Sequence, residues 1–491
     1  MKAILAIDQG TTASKAALYS LSGRVLGAAR VAVRTRFGPG GVADQDPGEI
    51  LATQRLAIRR AVSAAGPLEI AAAGVTSQRS TFVLWDRATG LPAGPAPTWR
   101  STAAADWCAR LQRHGARIRR LTGLPLSPHY SATKLGRLLD GDARLRRRAE
   151  RGDLLFGNVA TFLIWHLTGG TVHAVDPTQA ARTLLFNLST LDWDRWLLDL
   201  FGIPRAILPE VRPGIGEFGM MSLGRTRIPI RASLGDQQAA GLGLTGGGRV
   251  GGGRAALVNY GTGAFVLIPT GGRLVRRQGL LTSLAWTDAS RRAYVLEGTI
   301  NAAGALLDWL RAELGAPDGL EGIDRLCREA RGDALMLPAL HGLGSMFQDR
   351  AGARLPSLIL GAGPTGARAD VTRAAVESIA HMVTLILDRV ADLPGGAPRR
   401  LVASGPLSRL RYLVQYQAAL LPGIRLVATR GREATLAGIA RAAAPAGGIS
   451  GDAGRWRSAV TVIRSPAGME RAAAERKGRW IRMVRLARGW R

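Results

Sequence analysis

Positions 3–7 of the chain are all apolar, and one acid, Asp8, stands at their end before Gln9-Gly10-Thr11-Thr12. An apolar run of this length, closed by a glycine turn, predicts a buried strand. The run "SKAALYSL" after the turn predicts a second strand, and "SGR" turns the chain again into "VLGAARVAV". The opening is thus a β-meander at the head of an α/β domain. Residues 47–66, "PGEILATQRLAIRRAVSAAG", predict a helix with Pro near its start and Gly at its end. "IAAAGVTSQ" predicts the next buried strand, and "IRASLGDQQAAGLG" a strand ending at Gly235 with a helix opened by Asp236. Residues 154–175, "LLFGNVATFLIWHLTGGTVHAV", are long enough to span a membrane, but Asn158, two His and three Gly interrupt them. A buried helix, a glycine turn and a strand are predicted there instead, and no membrane span.

The opening grammar returns once. "AALVNYGTGAFVLIPTGG", residues 255–272, is again an apolar strand, a Gly-Thr turn and an apolar strand. Asn259 takes the place of Asp8, and Gly261-Thr262 the place of Gly10-Thr11. One such unit in each half predicts a duplicated domain with a cleft between the copies. The glycine-rich stretch 241–253 reads as a linker or as a hairpin beside the second unit.

A length of 491 residues fits two domains, or three. The formal charge of +30 is carried almost wholly by Arg; Lys stands only at positions 2, 15, 134 and 477. The arginines are dense only in "RLRRRAERGD" and in the tail "ERKGRWIRMVRLARGWR". Scattered charge of this kind favours compositional bias over a specific nucleic-acid footprint, while still steering phosphate-bearing ligands. In the tail, Trp480, Ile481, Met483, Val484, Leu486 and Trp490 interleave with Arg at helical spacing. Such a helix either packs on the second domain or lies on a membrane or polyanion; packing is expected. Cys108 and Cys327 are too few for a disulfide framework and fit a reducing, cytoplasmic setting.

A Gly-Thr turn offers amides and hydroxyls to an anion without obstruction. Two facing turns would clamp a polyphosphate, and Asp8 would hold a divalent cation; the alternative is a pair of ordinary tight hairpins. Asp236 is either a helix N-cap or a base at a cleft floor, with glutamines beside it to bind hydroxyls. An acid that accepts a hydroxyl proton and a cation that screens phosphates are the main needs of phosphoryl transfer to an alcohol.

These residues resemble the FGGY family of carbohydrate kinases, nearest to its glycerol-kinase-like branch. "IDQGTTASKAALYS" resembles the family's first phosphate loop, "GVTSQRSTFVLWDRATG" its substrate-side strand and turn, and "TGLPLSPHYSATKLGRLLD" its signature segment. "GDQQAAGLG" resembles the catalytic-aspartate segment and "NYGTGAFVL" the second phosphate loop. The resemblance covers almost the whole chain. It implies two ribonuclease-H-like, actin-like ATPase domains of α/β class flanking a catalytic cleft, at residues 1–243 and 244–491, using ATP and Mg²⁺. It implies Asp236 as general base, Asp8 at Mg²⁺, and Gly10, Thr11, Thr12, Lys15, Gly261, Thr262 and Gly405 at the ATP phosphates. Gln78, Arg79, His129 and Gln237 would bind the polyol or sugar, and a homodimer or homotetramer is implied. The match departs on the substrate side: Ser80 stands where a glycerol kinase has Glu, Ser101 where it has Asp, and His129 where it has Tyr. Losing two acids points to a substrate other than glycerol, and Ser80 leaves room for a larger one. Near the adenine, Pro406 and Leu410 replace Gly and Asn. The expected activity is ATP-dependent phosphorylation of a polyol or sugar hydroxyl. The alternatives are a diverged, non-catalytic relative and glycerol kinase proper.

Overall fold

A computed structural model describes every residue except 246–248, 251–252, 341, 348–354, 363–366, 394–395, 430–432, 445–455, 457–459 and 490–491. The predicted meander is present as β1 (Lys2–Gln9), β2 (Ala13–Ser20) and β3 (Val25–Ala32). Helix α1 (Pro47–Ala65) follows, capped at its start by the Asp46 carboxylate. It leads into β4 (Glu69–Ser77), which pairs parallel with β1. Helix α2 (Ser131–Gly141) packs in a separate apolar core that also takes in Leu281, Leu284 and Tyr294 from the second half of the chain. The apolar run from 154 departs from expectation. It opens as a strand, Leu154–Asn158, paired with Phe82–Asp86, and only then becomes helix α3 (Val159–Leu167). The physical reason is Asn158, whose Oδ1 accepts the Thr161 amide at 2.9 Å and so starts the helix in mid-run. Strands β5 (Met220–Leu223) and β6 (Thr226–Gly235) complete a six-stranded sheet in the order β5-β6-β4-β1-β2-β3.

Helix α4 (Asp236–Thr245) runs across the division expected at 243/244. Arg249–Val250 then pairs with the start of β7 (Gly253–Tyr260), so the glycine-rich stretch is helix end and hairpin; its residues 246–248 and 251–252 lie outside the described ones. The second sheet adds β8 (Ala264–Gly271), β9 (Leu281–Thr287), β10 (Arg292–Ile300), β11 (Arg400–Ser404), β12 (Arg425–Thr429) and β13 (Val460–Val462), in the order β9-β10-β8-β7-β11-β12-β13. Helices α5 (Gly304–Leu314), α6 (Ala367–Asp388), α7 (Ala434–Ala443) and α8 (Met469–Gly489) accompany it. Both sheets repeat one plan. A strand pairs antiparallel with its successor and parallel with a later strand (β1 with β2 and β4, β7 with β8 and β11). The sequence echo between the two Gly-Thr units marks this repetition.

Strand β1 is buried on both faces because alternate residues meet different helices. Ala3, Leu5 and Ile7 share a core with Ile50, Ala57 and Ile58 of α1, while Ile4 and Ala6 share one with Leu436, Ile439 and Ala440 of α7. A helix from the far end of the chain thus roofs the first sheet. It does so by crossing α4 very closely: a Cβ on Gly438 would overlap the Ala239 carbonyl oxygen. The C-terminal α8 packs as expected, with Ala473, Trp480, Met483, Val484 and Ala487 in the second core. Trp490 lies outside the described residues, and among those no helix is long and apolar enough to cross a membrane.

Candidate active site

Three parallel strands bring their carboxyl ends level. Asp8 of β1 lies opposite Thr76 of β4, and Thr76 opposite Leu234 of β6. Asp8 is at this edge, and the residues leaving β4 and β6 are Gln78-Arg79 and Asp236. In open α/β sheets this edge is where ligands bind. Strand pairing places Lys15 opposite Asp8, with Nζ 3.7 Å from its Oδ2 and 2.9 Å from Glu433 Oε2 at the head of α7. The Asp8 Oδ1 atom is buried without a hydrogen-bond partner. Burial pushes the Asp8 carboxyl up to about 7, against Lys15, and the charges of Asp236 and Glu433 push the same way.

Arg79 is buried among carboxylates. Its Nη1 lies 2.7 Å from Glu297 Oε2, its Nη2 3.3 Å from Oε1, and its Nε 3.4 Å from Asp236 Oδ1. A fork of this kind fixes the guanidinium in place. Glu297 is fully buried on β10, and Arg182 and Arg79 hold it down to about 2 despite burial. Arg182 lies with Nη1 3.5 Å from Glu297 Oε2 and its guanidinium 5.3 Å over the Tyr130 ring. Asp236 is raised by burial, with Arg79 and the Gln237 amide (2.7 Å) opposing. Its side chain stays 27% exposed, so it remains open to a ligand. It begins α4 and is no isolated N-cap.

Thr11 is half-buried. Its hydroxyl donates to Gln78 Oε1 at 3.2 Å and accepts from Trp99 Nε1 at 2.8 Å. Thr12 is exposed, and the Gly10 amide is spent inside the turn on the Ala13 carbonyl. Gln78 departs from the expectation of a substrate ligand. It is buried, its amide donates to Gln9 and Gln45, and its carbonyl accepts from Thr11 and Thr81. With no donor left, it positions Thr11. The His129 ring sits 5.6 Å from Trp99 and 5.0 Å from Tyr130. Burial, then Arg182, Lys134 and Arg79, hold it well below the usual range, so the imidazole is neutral. Lys134 donates to the carbonyls of Ser80, Pro128 and His129, tying the two loops of this wall together.

The second domain's turn faces the same region. Asn259 Nδ2 donates to Gln237 Oε1 at 3.3 Å, joining β7 to α4. The carbonyls of Gly261 and Thr262 accept the first amides of α5. Gly405 has φ 85°, and a Cβ there would lie 2.6 Å from Asn259 Oδ1 and overlap the Tyr260 carbonyl. Its close approach is therefore to the chain's own β7. Two departures lie off this wall. Ser101 Oγ bonds the Gly41 carbonyl at 3.3 Å, and Leu410 is buried in the second core. Sequence reasoning missed Glu297 and Arg182. Each is a lone charge in an apolar run ("YVLEGTI", "AARTLLF"), the same signal that marked Asp8.

The family model for the N-terminal domain of the FGGY family of carbohydrate kinases matches residues 3–243, and that for its C-terminal domain matches 256–447. The chain is 42% identical to a glycerol kinase of Thermus brockianus, covering 100% of this chain and 99% of that protein. It is 41% identical to one of Alkalilimnicola ehrlichii, again over 100% and 99%. Among solved structures, Plasmodium falciparum glycerol kinase with ADP superimposes with a TM-score of 0.88 at 25% identity, covering 99% and 98% of the two chains. A xylulose kinase of Lactobacillus acidophilus gives 0.83 at 19% identity over 99% and 98%.

Proposed function

The chain belongs to the FGGY family of carbohydrate kinases and phosphorylates a polyol or sugar hydroxyl at the expense of ATP, and on that premise we propose the following division of labour in the cleft. Asp236 accepts the proton of the attacking hydroxyl. Burial raises its proton affinity above that of an ordinary carboxylate, which suits it to that task. Arg79, locked by Glu297, orients the acceptor beside Asp236, and Gln237 and the neutral His129 bind its hydroxyls. Thr11 and Thr12 of the first turn, which Gly10 closes, and Gly261 and Thr262 of the second serve the phosphates of ATP. Lys15 adds charge there, and Gly405 shapes the nucleotide side.

A divalent cation fits at Asp8. The fit rests on a buried carboxylate with an orphaned oxygen, in the field of two further acids, Asp236 and Glu433. Mg²⁺ bound there, completed by water and phosphate oxygens, would screen the charge of the transferring phosphoryl group. The reaction then belongs to the cytoplasm, a setting supported by two buried free thiols, Cys108 and Cys327. We assign the enzyme to a homodimer or homotetramer, which light scattering tests.

The observation that carries this reading is the shared edge of β1, β4 and β6, where the charge of Asp236 is close enough to raise the proton affinity of Asp8. The test is ADP release across polyols, ketoses and deoxysugars, with Asp236→Asn as control. Undiminished turnover in the variant rejects Asp236 as the base. Full-length likeness to proteins named glycerol kinase favours glycerol as a second reading of the acceptor, and the same panel decides it.

A further inference from the structure

The acceptor wall has two buried arginines and two carboxylates, and these are not evenly paired. Arg79 takes both oxygens of Glu297 and also reaches Asp236. Arg182 is 3% exposed, and its contact with Glu297 is longer, Nη1 to Oε2 at 3.5 Å. Its Nε and Nη1 have no hydrogen-bond acceptor. A buried guanidinium left in this state is costly unless something completes its shell.

The residue beside it explains the deficit. Ser80 Oγ lies 3.3 Å from the Arg182 carbonyl oxygen, so position 80 abuts Arg182. Position 80 is Ser, so the chain presents no acid at that point. The charges of the wall balance, yet the cations around Arg182 offer it no acceptor: Lys134 donates to three carbonyls, and Arg100 lies 5.4 Å over the Trp99 ring.

We propose that the acceptor is a polyhydroxy acid, whose carboxylate supplies the partner that the Arg182 guanidinium lacks while a hydroxyl is held against Asp236. The inference rests on the kinase reading above and narrows its substrate class. The reaction is unchanged: the acceptor oxygen forms a bond to the γ-phosphorus, ADP leaves with the electrons of the broken P–O bond, and Asp236 takes the hydroxyl proton. A carboxylate fits better than a phosphate ester. One under-paired guanidinium matches a single negative charge, and burying a dianion needs a second under-paired cation, whereas Arg79 already holds Glu297 and Asp236.

The test uses the full-length protein with ATP and Mg²⁺ and matched acceptors: glycerol against glycerate, and sorbitol against gluconate and sorbitol 6-phosphate. The acid should exceed its neutral partner in kcat/KM by roughly tenfold to a hundredfold, the worth of a charge-assisted hydrogen bond. Ser80→Glu should cut that ratio at least tenfold by giving Arg182 an internal partner. Equal or better turnover of the neutral member, preference for the phosphate ester, or an unchanged ratio in a folded Ser80→Glu protein each overturn the proposal. If no acceptor releases ADP, the kinase reading fails. Calorimetry of gluconate against sorbitol on the ATP complex then judges the anion preference by itself, and equal affinities reject it.

Discussion

Glu297→Gln removes one charge from the buried Arg79–Glu297–Arg182 cluster while keeping the side chain's shape. Glu297 is fully buried, and two guanidiniums depend on it. Two routes give the cost. The fall of its carboxyl from 4.5 to about 2 on folding corresponds to about 3 kcal/mol at neutral pH. Breaking a buried ion pair by removing one partner costs about 3–5 kcal/mol in other proteins. For a domain of this size, about 3 kcal/mol lowers Tm by roughly 6–12 °C. The sign with pH follows from the depressed value. The stabilisation is complete above about 4.5 and is lost as pH falls towards 2. Calorimetric melts of both proteins from pH 7 to pH 3 should therefore start well apart and converge in acid. Arg79 would also turn fully to Asp236, lowering its proton affinity, so kcat should fall along with stability. A Tm loss under 2 °C at pH 7, or a gap that stays constant down to pH 3, would mean that Glu297 does not neutralise the two arginines.

Asp236→Asn should lower kcat roughly a hundredfold or more, with a much smaller change in acceptor KM, because only proton transfer is lost; steady-state ADP release measures both. Asp8 is half-protonated near pH 7 without a cation, so the rate should fall below pH 7 at limiting Mg²⁺. Raising Mg²⁺ should move that acid limb to lower pH, and a limb indifferent to Mg²⁺ tells against Asp8 as the cation's ligand. Gly438→Val should cost about 1–3 kcal/mol or more, because a side chain there overlaps the Ala239 backbone. A melt shows this directly; a wild-type Tm would mean that α4 and α7 separate freely.

The first Gly-Thr unit and its echo were legible because a strand, a tight turn and a strand are specified by neighbours in sequence. Helix α1 was legible for the same reason, from its Pro start, apolar period and Gly end. The run from 154 was only half legible. Continuous apolar character fits a buried strand and a buried helix alike, and the switch depended on which backbone amide Asn158 would cap. Gln78 and Gly405 were found as special positions, but the partners that explain them, Gln9 and Gln45 for one and Tyr260 for the other, come from distant strands.

Local pattern and chemistry suffice for the strands of the two Gly-Thr units, their turns, and the acids Asp8 and Asp236 that end apolar runs, so these can be read from the chain alone. That Arg79 and Arg182 both meet Glu297, that Lys15 meets Glu433, and that α7 returns to cover the first sheet follows from folding alone. Those pairings join residues hundreds of positions apart. Their energies come from burial and electrostatics between surfaces that exist only once both sheets have formed.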